Sequence, residues 1–279
     1  MTPAPHARIE LIPAKEAAKV LVIRRKPSKL FHVLLWDTAA GVLEAGSWFR
    51  GKLYAKRCDL SFDGRWMCYL AMGADGSTWN GVSEAPFLKC LATAENTGTW
   101  YGGGYWDRAK RLRTNGWGRA DNRGVRLLPF EADSGEDLGV FLPRLGRDGW
   151  RRAGPDRGRM VKTGDWNVRC VGDDGWEHRP SEDHPRLRVR HLGYEGGYRF
   201  GYTLEADLAD FDGDVDSAAW DAAGGLVFSR RGVLRRATLE DLRRGVAGET
   251  HDLEGLRPPW ATSDEVDSAT RSHPNDAPR

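Results

Sequence analysis

The sequence predicts an all-β protein built from repeated small sheets, and three observations lead there. Short runs rich in Val, Leu and aromatic residues recur along the chain, bounded by Gly, Pro, Asn or Asp. The 279 residues include 34 Gly and 12 Trp, a pairing that suits tight turns and pleated surfaces better than long helices. No helical pattern alternates with the strand-like runs, as a parallel α/β sheet would require.

Residues 1–18 read as an irregular segment with one helical turn at "AKEAAK". A β domain is expected over 19–255, opening with strands at 19–26, 30–37 and 42–49. Then comes "CDLSFDGRWMCYLAMG" (58–73), where Asp63-Gly64 marks a turn because Gly accepts the positive φ a hairpin needs. Further strands are expected at 85–93, 124–130, 160–172, 186–193 and 198–205, and in the closing pair "DSAAWD" and "GGLVFSRRGVLRRATL". Thr238 with Asp241 three residues on forms a capping box, and Gly245 is placed to stop that short helix. The stretch 131–150 reads as a soft region. Residues 256–279 form a polar tail expected to be disordered, since little in it builds a core.

Internal repetition selects the architecture. "LSFDGRWMCYLA" and "AAWDAAGGLVFSR" share a plan of small residue, aromatic, Asp, Gly and apolar strand, and "RCVGDDGWEHR" and "EGGYRFGYTLE" echo it. A small sheet cannot bury both faces alone, and stacking such sheets around an axis solves this. The first two stretches resemble the strand–Pro-Asp-Gly–strand element of TolB-like and WD40-like β-propellers, with Phe62 in place of the usual Pro. The match covers 56–93 and 214–240, and the surroundings resemble uncharacterised bacterial propeller-like proteins. The resemblance implies a β-propeller of about five blades, and it carries no activity. The last strands are expected to complete the first blade, a usual way to seal such a ring.

Charge and cysteine content narrow the setting. The net charge of +2 hides an asymmetry, with 20 basic and 11 acidic residues in 1–130 against 22 and 29 in 131–279. Cys58, Cys68, Cys90 and Cys170 show no C-x-x-C spacing and are expected as free thiols in a reducing compartment. The N-terminal stretch lacks the apolar core of a secretion signal, and no run is long enough to span a membrane. The expected location is cytoplasmic.

Catalytic signatures are missing from the sequence: no G-x-S-x-G, H-E-x-x-H, phosphate-loop or dinucleotide-binding pattern occurs. Asp210, Asp212, Asp214 and Asp216 alternate in a way that suits Ca²⁺. However, Gly213 stands fourth in such a loop rather than sixth and Asp221 replaces the closing Glu, so a solvated acidic turn is the stronger expectation. His178, His184 and His191 fit no standard zinc spacing. His32 reads as a hydrogen-bonded core residue.

Residues 107–126 carry seven Lys/Arg, including Lys110, Arg111 and Arg113, against two Asp, with Trp106 and Trp117 nearby. Such a stretch can track a phosphate backbone and stack bases, but it also suits a charged outer loop, and nucleic acid is not the expected partner. The most unusual stretch is "TWYGGGYW". Trp100, Tyr101, Tyr105 and Trp106 surround Gly102, Gly103 and Gly104, so backbone freedom is combined with preferred contact residues. An inward-packed turn is the competing reading. The sequence therefore predicts a non-enzymatic binding or scaffold propeller that contacts a protein or peptide, with no cofactor and no membrane partner. An enzyme of hydrolase or lactonase type with a polar central channel is the alternative. Nucleic-acid binding through 107–126 is weaker.

Overall fold

A computed structural model describes residues 5–260 apart from 97, 117–119, 122–124, 131–135, 155–158, 164–165, 171–174 and 195–197. Of the polar tail, residues 256–260 are described, with the Trp260 ring edge-on to Trp48 at 6.4 Å, and residues 261–279 lie outside the described residues. The first sheet is a meander in chain order: β1 (Arg8–Pro13), β2 (Lys19–Arg25), β3 (Leu30–Asp37) and β4 (Val42–Arg50). Its middle strands, "KVLVIRR" and "LFHVLLWD", are buried along nearly their whole length because both faces are covered. Leu21, Ile23, Phe31, Val33 and Leu35 pack with Leu60, Met67 and Tyr69 of the second sheet. Val20, Val22, Leu34 and Trp36, on the opposite face, pack with Val227, Leu234 and Leu253 of the last sheet.

The second sheet comprises β5 (Lys52–Leu53), β6 (Asp59–Leu60), β7 (Trp66–Met72), β8 (Thr78–Glu84) and β9 (Cys90–Asn96), with a 3-10 turn at Ala55–Arg57. The third starts with β10 (Gly104–Trp106) and β11 (Leu112–Asn115). The chain then returns to the second sheet, where β12 (Ala120–Asp121) pairs with β9, before β13 (Leu127–Phe130) joins β11 in parallel. Helix α1 (Leu138–Arg147) follows.

The fourth sheet holds β14 (Arg151–Arg152), then, beyond a separate hairpin of β15 (Arg159–Thr163) and β16 (Trp166–Cys170), β17 (Trp176–His178), β18 (Leu187–Tyr194) and β19 (Tyr198–Leu204). The fifth holds β20 (Val215–Trp220), β21 (Leu226–Arg230), β22 (Val233–Ala237) and, beyond helix α2 (Leu239–Arg244), β23 (Glu249–Asp252).

Contacts between sheets form a circuit. β1 touches β6, β6 touches β10, β10 touches α1, and β19 touches β20, which touches β1 again. Phe141 of α1 bridges the remaining step, with its ring 4.6 Å from that of Phe200 on β19. The fold is a five-bladed β-propeller. Helix α1 sits between the third and fourth blades.

Several expectations need correction. The opening segment is not irregular throughout: β1 pairs along its whole length with β2, because Ile9, Leu11 and Ile12 have cores to enter on both faces. The ring is not sealed by strand exchange. All four strands of the first sheet are N-terminal, and the last blade closes the ring by packing β20 and β21 against β1. Two hydrogen bonds pin this seam: Leu11 N–H to Ser217 Oγ (3.1 Å) and Ser229 Oγ to the Ile9 carbonyl (3.0 Å). The stretch 131–150 contains a ten-residue helix, whose Leu138, Phe141 and Leu145 are buried. The run 160–172 divides into two strands. The strand β8 was not among the expected strands, and it contains Asn80-Gly81, a pair that more often marks a turn. Gly81 is there because a Cβ would lie 2.4 Å from the Tyr69 ring on β7.

Other elements match their sequence signals. Thr238 and Asp241 make the reciprocal capping box, and Gly245 ends α2 at φ +71°. Gly64 adopts φ +72° in the turn before β7, with its N–H on the Ser61 carbonyl at 2.9 Å. Asp63 accepts from Arg65 N–H at 3.1 Å, and Ser61 Oγ accepts from Trp66 N–H at 2.9 Å. Gly64→Val is expected to cost about 1–3 kcal/mol, because a β-branched residue resists this conformation. Urea unfolding measures it, and an unchanged midpoint would remove the turn from the list of stabilising features.

Candidate functional site

Alternation along the β10–β11 hairpin separates the aromatic residues of "TWYGGGYW". Tyr105 and Arg113 are cross-strand partners on one face, with Phe130 edge-on to Tyr105 (5.6 Å) and beneath the Arg113 guanidinium (5.8 Å). Trp106 and Leu112 are partners on the other face, buried with Cys68, Val82, Ala92 and Ala94 of the second blade. Trp100 and Tyr101 precede the strand and stay exposed.

The glycines do not form a protruding loop. Gly102, Gly103 and Gly104 are all buried. Gly103 has φ +78°, and a Cβ there would lie 2.4 Å from the Arg57 carbonyl oxygen. The close approach is to the chain's own Arg57, a buried residue that donates to the Thr99 and Tyr101 carbonyls (2.7 and 3.1 Å) and pairs with Asp137 (3.0 Å).

Beside Trp106 lies a cleft of about 330 Å³ between the second and third blades. Its walls are Trp66, Val82, Leu91, Trp106, Leu112 and Val125, and its rim is Lys110, Arg111 and Arg126. Two of the three rim cations are paired: Lys110 with Glu16 (2.6 Å), and Arg111 with Asp107 (3.0 and 2.8 Å). Arg126 makes no ion pair among the described residues. The structure thus joins Trp106, Lys110 and Arg111, separates them from Arg113, and leaves Trp100 and Tyr101 at the other end of β10. Sequence reasoning missed Trp66, Leu91 and Arg126, which come from three different strands or loops.

Charged groups also converge at the middle of the ring. The Lys56 ammonium pairs with Glu10 of β1 (2.8 Å), donates to Tyr202 Oη of β19 (3.3 Å) and lies over the rings of Phe141 and Phe200 (4.6 and 4.9 Å). Burial by itself disfavours this charge, but Glu10 and Tyr202 together outweigh it and hold the Lys56 pKa above its ordinary value. Arg144 of α1 donates to the Cys58 carbonyl and stands 3.7 Å from Glu10. Arg147, one turn on, pairs through both terminal nitrogens with Asp59, which also accepts Trp106 N–H at 2.8 Å. These residues tie α1 to the first, second and third blades, and Lys56 ties the second blade to the fourth. The carboxylates Glu10 and Asp59 are both committed to basic partners.

The remaining candidates are dispersed. Asp210 and Asp212 face Arg230 (3.1 and 2.7 Å), and Asp214 faces Arg231 (2.7 Å). Asp216 is separate from them. It occupies a bulge in β20, near Arg8 and Arg25. Among the described residues, no three His, Cys, Asp or Glu side chains are grouped to hold a metal ion. His184 bonds Ser181 and the Gly224 carbonyl, His178 lies against Trp150, and His32 stacks on Trp48 at 4.0 Å. His32 is buried, as expected of a core residue, and the Gly46 backbone is its polar neighbour, though at no well-formed hydrogen-bond geometry. Cys58, Cys68 and Cys90 are free thiols, and burial pushes Cys58 up to about 12. No helix among the described residues is long and apolar enough to cross a membrane.

These environments set a pH dependence. Burial, only partly offset by Arg8, raises Asp216 to about 7. A carboxyl with a raised folded pKa contributes stability that is full below its unfolded pKa of about 3.9 and is lost as pH rises toward 7. Asp216→Asn is therefore expected to raise the melting temperature progressively between pH 4 and 7 relative to the parent, with no gain at pH 4. His32 and His178 run the other way. Burial lowers both to about 4, so their contribution is present above pH 6.5 and lost on acidification. Melting curves across this range test both signs, and a pH-independent gain for the Asn variant would contradict the assignment.

Comparison with known proteins adds fold-level likeness only. No protein-family model matches the chain, and no curated protein does. Among solved structures, the chain is similar to an uncharacterised protein from Listeria monocytogenes EGD-e. The identity is 10%, covering 91% of this chain and 96% of that one, with a TM-score of 0.33. It is also similar to TolB from Acinetobacter baumannii, at 14% identity, covering 86% of this chain and 56% of TolB, with a TM-score of 0.28. At these values neither transfers a site or an activity.

Proposed function

We propose that this propeller is a non-enzymatic binding module that docks a protein or peptide partner in the cleft between its second and third blades. The observation that carries the reading is the cleft itself. Trp66, Trp106 and Leu112 form an apolar floor beneath a basic rim, and Leu91 remains 37% exposed on its wall. A concave apolar surface with a few polar groups at its edge suits an anchor side chain, which supplies most of the binding energy in such interfaces. The pairing of Glu10 and Asp59 with buried cations favours binding over hydrolysis, because those carboxylates serve the packing of the ring. The split between Lys110 and Arg111 on one side and Arg113 on the other disfavours a continuous track for nucleic acid.

A photo-crosslinking residue at position 91, introduced into the protein in its source cells, tests the reading. Discrete protein adducts are expected at 91 and none at position 42, an exposed site on the outer strand of the first blade. Absence of adducts at 91, or equal labelling at both sites, would overturn it.

A further inference from the structure

We infer that the occupant of this cleft is an acidic peptide segment carrying one apolar anchor residue; this rests on the reading of the cleft as a docking site and names the chemistry of its partner. Charge is the first argument. Among the described residues, Lys110, Arg111 and Arg126 line the cleft, Arg65 adjoins the lining residue Trp66, and Glu84, Glu16 and Asp107 are the partners of Arg65, Lys110 and Arg111. Arg65 pairs with Glu84 at 3.3 Å while its guanidinium lies over the Trp66 ring at 4.6 Å. Arg126 is the cation left over among the described residues, and it sits at the mouth beside Val125. The Arg65–Glu84 and Lys110–Glu16 pairs are at the surface, where an ion pair contributes little and exchanges partners readily, whereas the largely shielded Asp107 holds Arg111 through two nitrogens. An incoming carboxylate therefore meets one guanidinium with no ion pair among the described residues and two weakly committed cations.

Shape is the second argument. The volume suits a large side chain, and the Leu91 wall continues into solvent, so a chain running past the anchor covers more of it than a small acid would. The anchor fills the space between Trp66 and Trp106, and flanking Asp or Glu residues reach the rim.

Selection from a random peptide library on the intact protein tests this. The parent protein is expected to enrich peptides with Asp or Glu flanking an aromatic or aliphatic residue. Arg126→Glu is expected to weaken an enriched peptide about tenfold at low salt and less at high salt, with the melting temperature unchanged. Leu91→Trp, which fills the cleft from an exposed position, is expected to abolish capture. Enrichment of apolar peptides with no acidic preference, lost in Leu91→Trp, would overturn the acidic partner and leave the docking site standing. Capture undiminished by Leu91→Trp would overturn the docking site as well. Binding of phenylbutyrate in a Leu91→Trp-sensitive manner, with no peptide enriched, would assign the cleft to a small amphiphilic acid instead.

Discussion

Asp59→Ala is expected to lower the melting temperature by about 10 °C, corresponding to about 3–5 kcal/mol. Asp59 and the Arg147 side chain are both almost wholly shielded from solvent. Burial disfavours the Arg147 charge, but Asp59 and Asp148 more than offset this and hold its pKa above the ordinary value. Removing Asp59 leaves the guanidinium short of a counter-ion and the Trp106 N–H without its acceptor. The double variant Asp59→Ala with Arg147→Met removes both charges, so it is expected to be more stable than Asp59→Ala alone. Differential scanning calorimetry of the two variants decides the matter. A double variant less stable than the single one would mean that Arg147 acts mainly through its bond to the Trp106 carbonyl.

Gly103→Val should be nearly as damaging, at about 3–5 kcal/mol, since it combines a positive φ with overlap against fixed backbone. Its N–H is also held by Asn80 Oδ1 at 2.7 Å, so the segment has little room to move aside. Gly98→Ala is the matched comparison. Gly98 has φ +84°, but no atom lies within 4 Å of the added carbon, so only about 1 kcal/mol is at stake. Trp100→Ala, at an exposed aromatic, is expected to change stability by less than about 1 kcal/mol. Chemical denaturation of the three variants separates glycines that fit the chain to Arg57 from aromatics available at the surface. Equal effects at 98 and 103 would show that backbone conformation alone, without the Arg57 contact, sets the requirement.

Local chemistry was readable wherever a few neighbouring residues decide the outcome. Asp63-Gly64 specifies its turn, and Thr238, Asp241 and Gly245 specify both ends of α2. Helix α1 was not readable because Gly139, Pro143 and Gly146 weaken its helical preference. Its apolar spacing at Leu138, Phe141, Leu142 and Leu145 was the signal present in the sequence. Strand β8 likewise contains Asn80-Gly81, a pair that more often marks a turn, and the Tyr69 ring above Gly81 is not visible in the local sequence. The cleft and the central charges draw on residues far apart in the chain, and no spacing rule joins Glu10 to Lys56, Arg144 and Tyr202. Of the stretch "TWYGGGYW", only Trp106 lines the cleft.

The manner of ring closure has a consequence for biosynthesis. Val20, Val22, Leu34 and Trp36 form one apolar face of the first blade, and their cover is Val227, Leu234 and Leu253. Arg24 likewise waits for the Leu253 and Glu254 carbonyls, and Trp36 for Glu249. On the ribosome, the first blade emerges about two hundred residues ahead of its last neighbour, a delay on the order of 10–40 s at ordinary elongation rates. Throughout that interval the nascent chain carries an uncovered hydrophobic sheet. Yield of this protein should therefore depend on holdase chaperones and fall when translation is slowed late in the message, even for variants whose finished fold is as stable as the parent's.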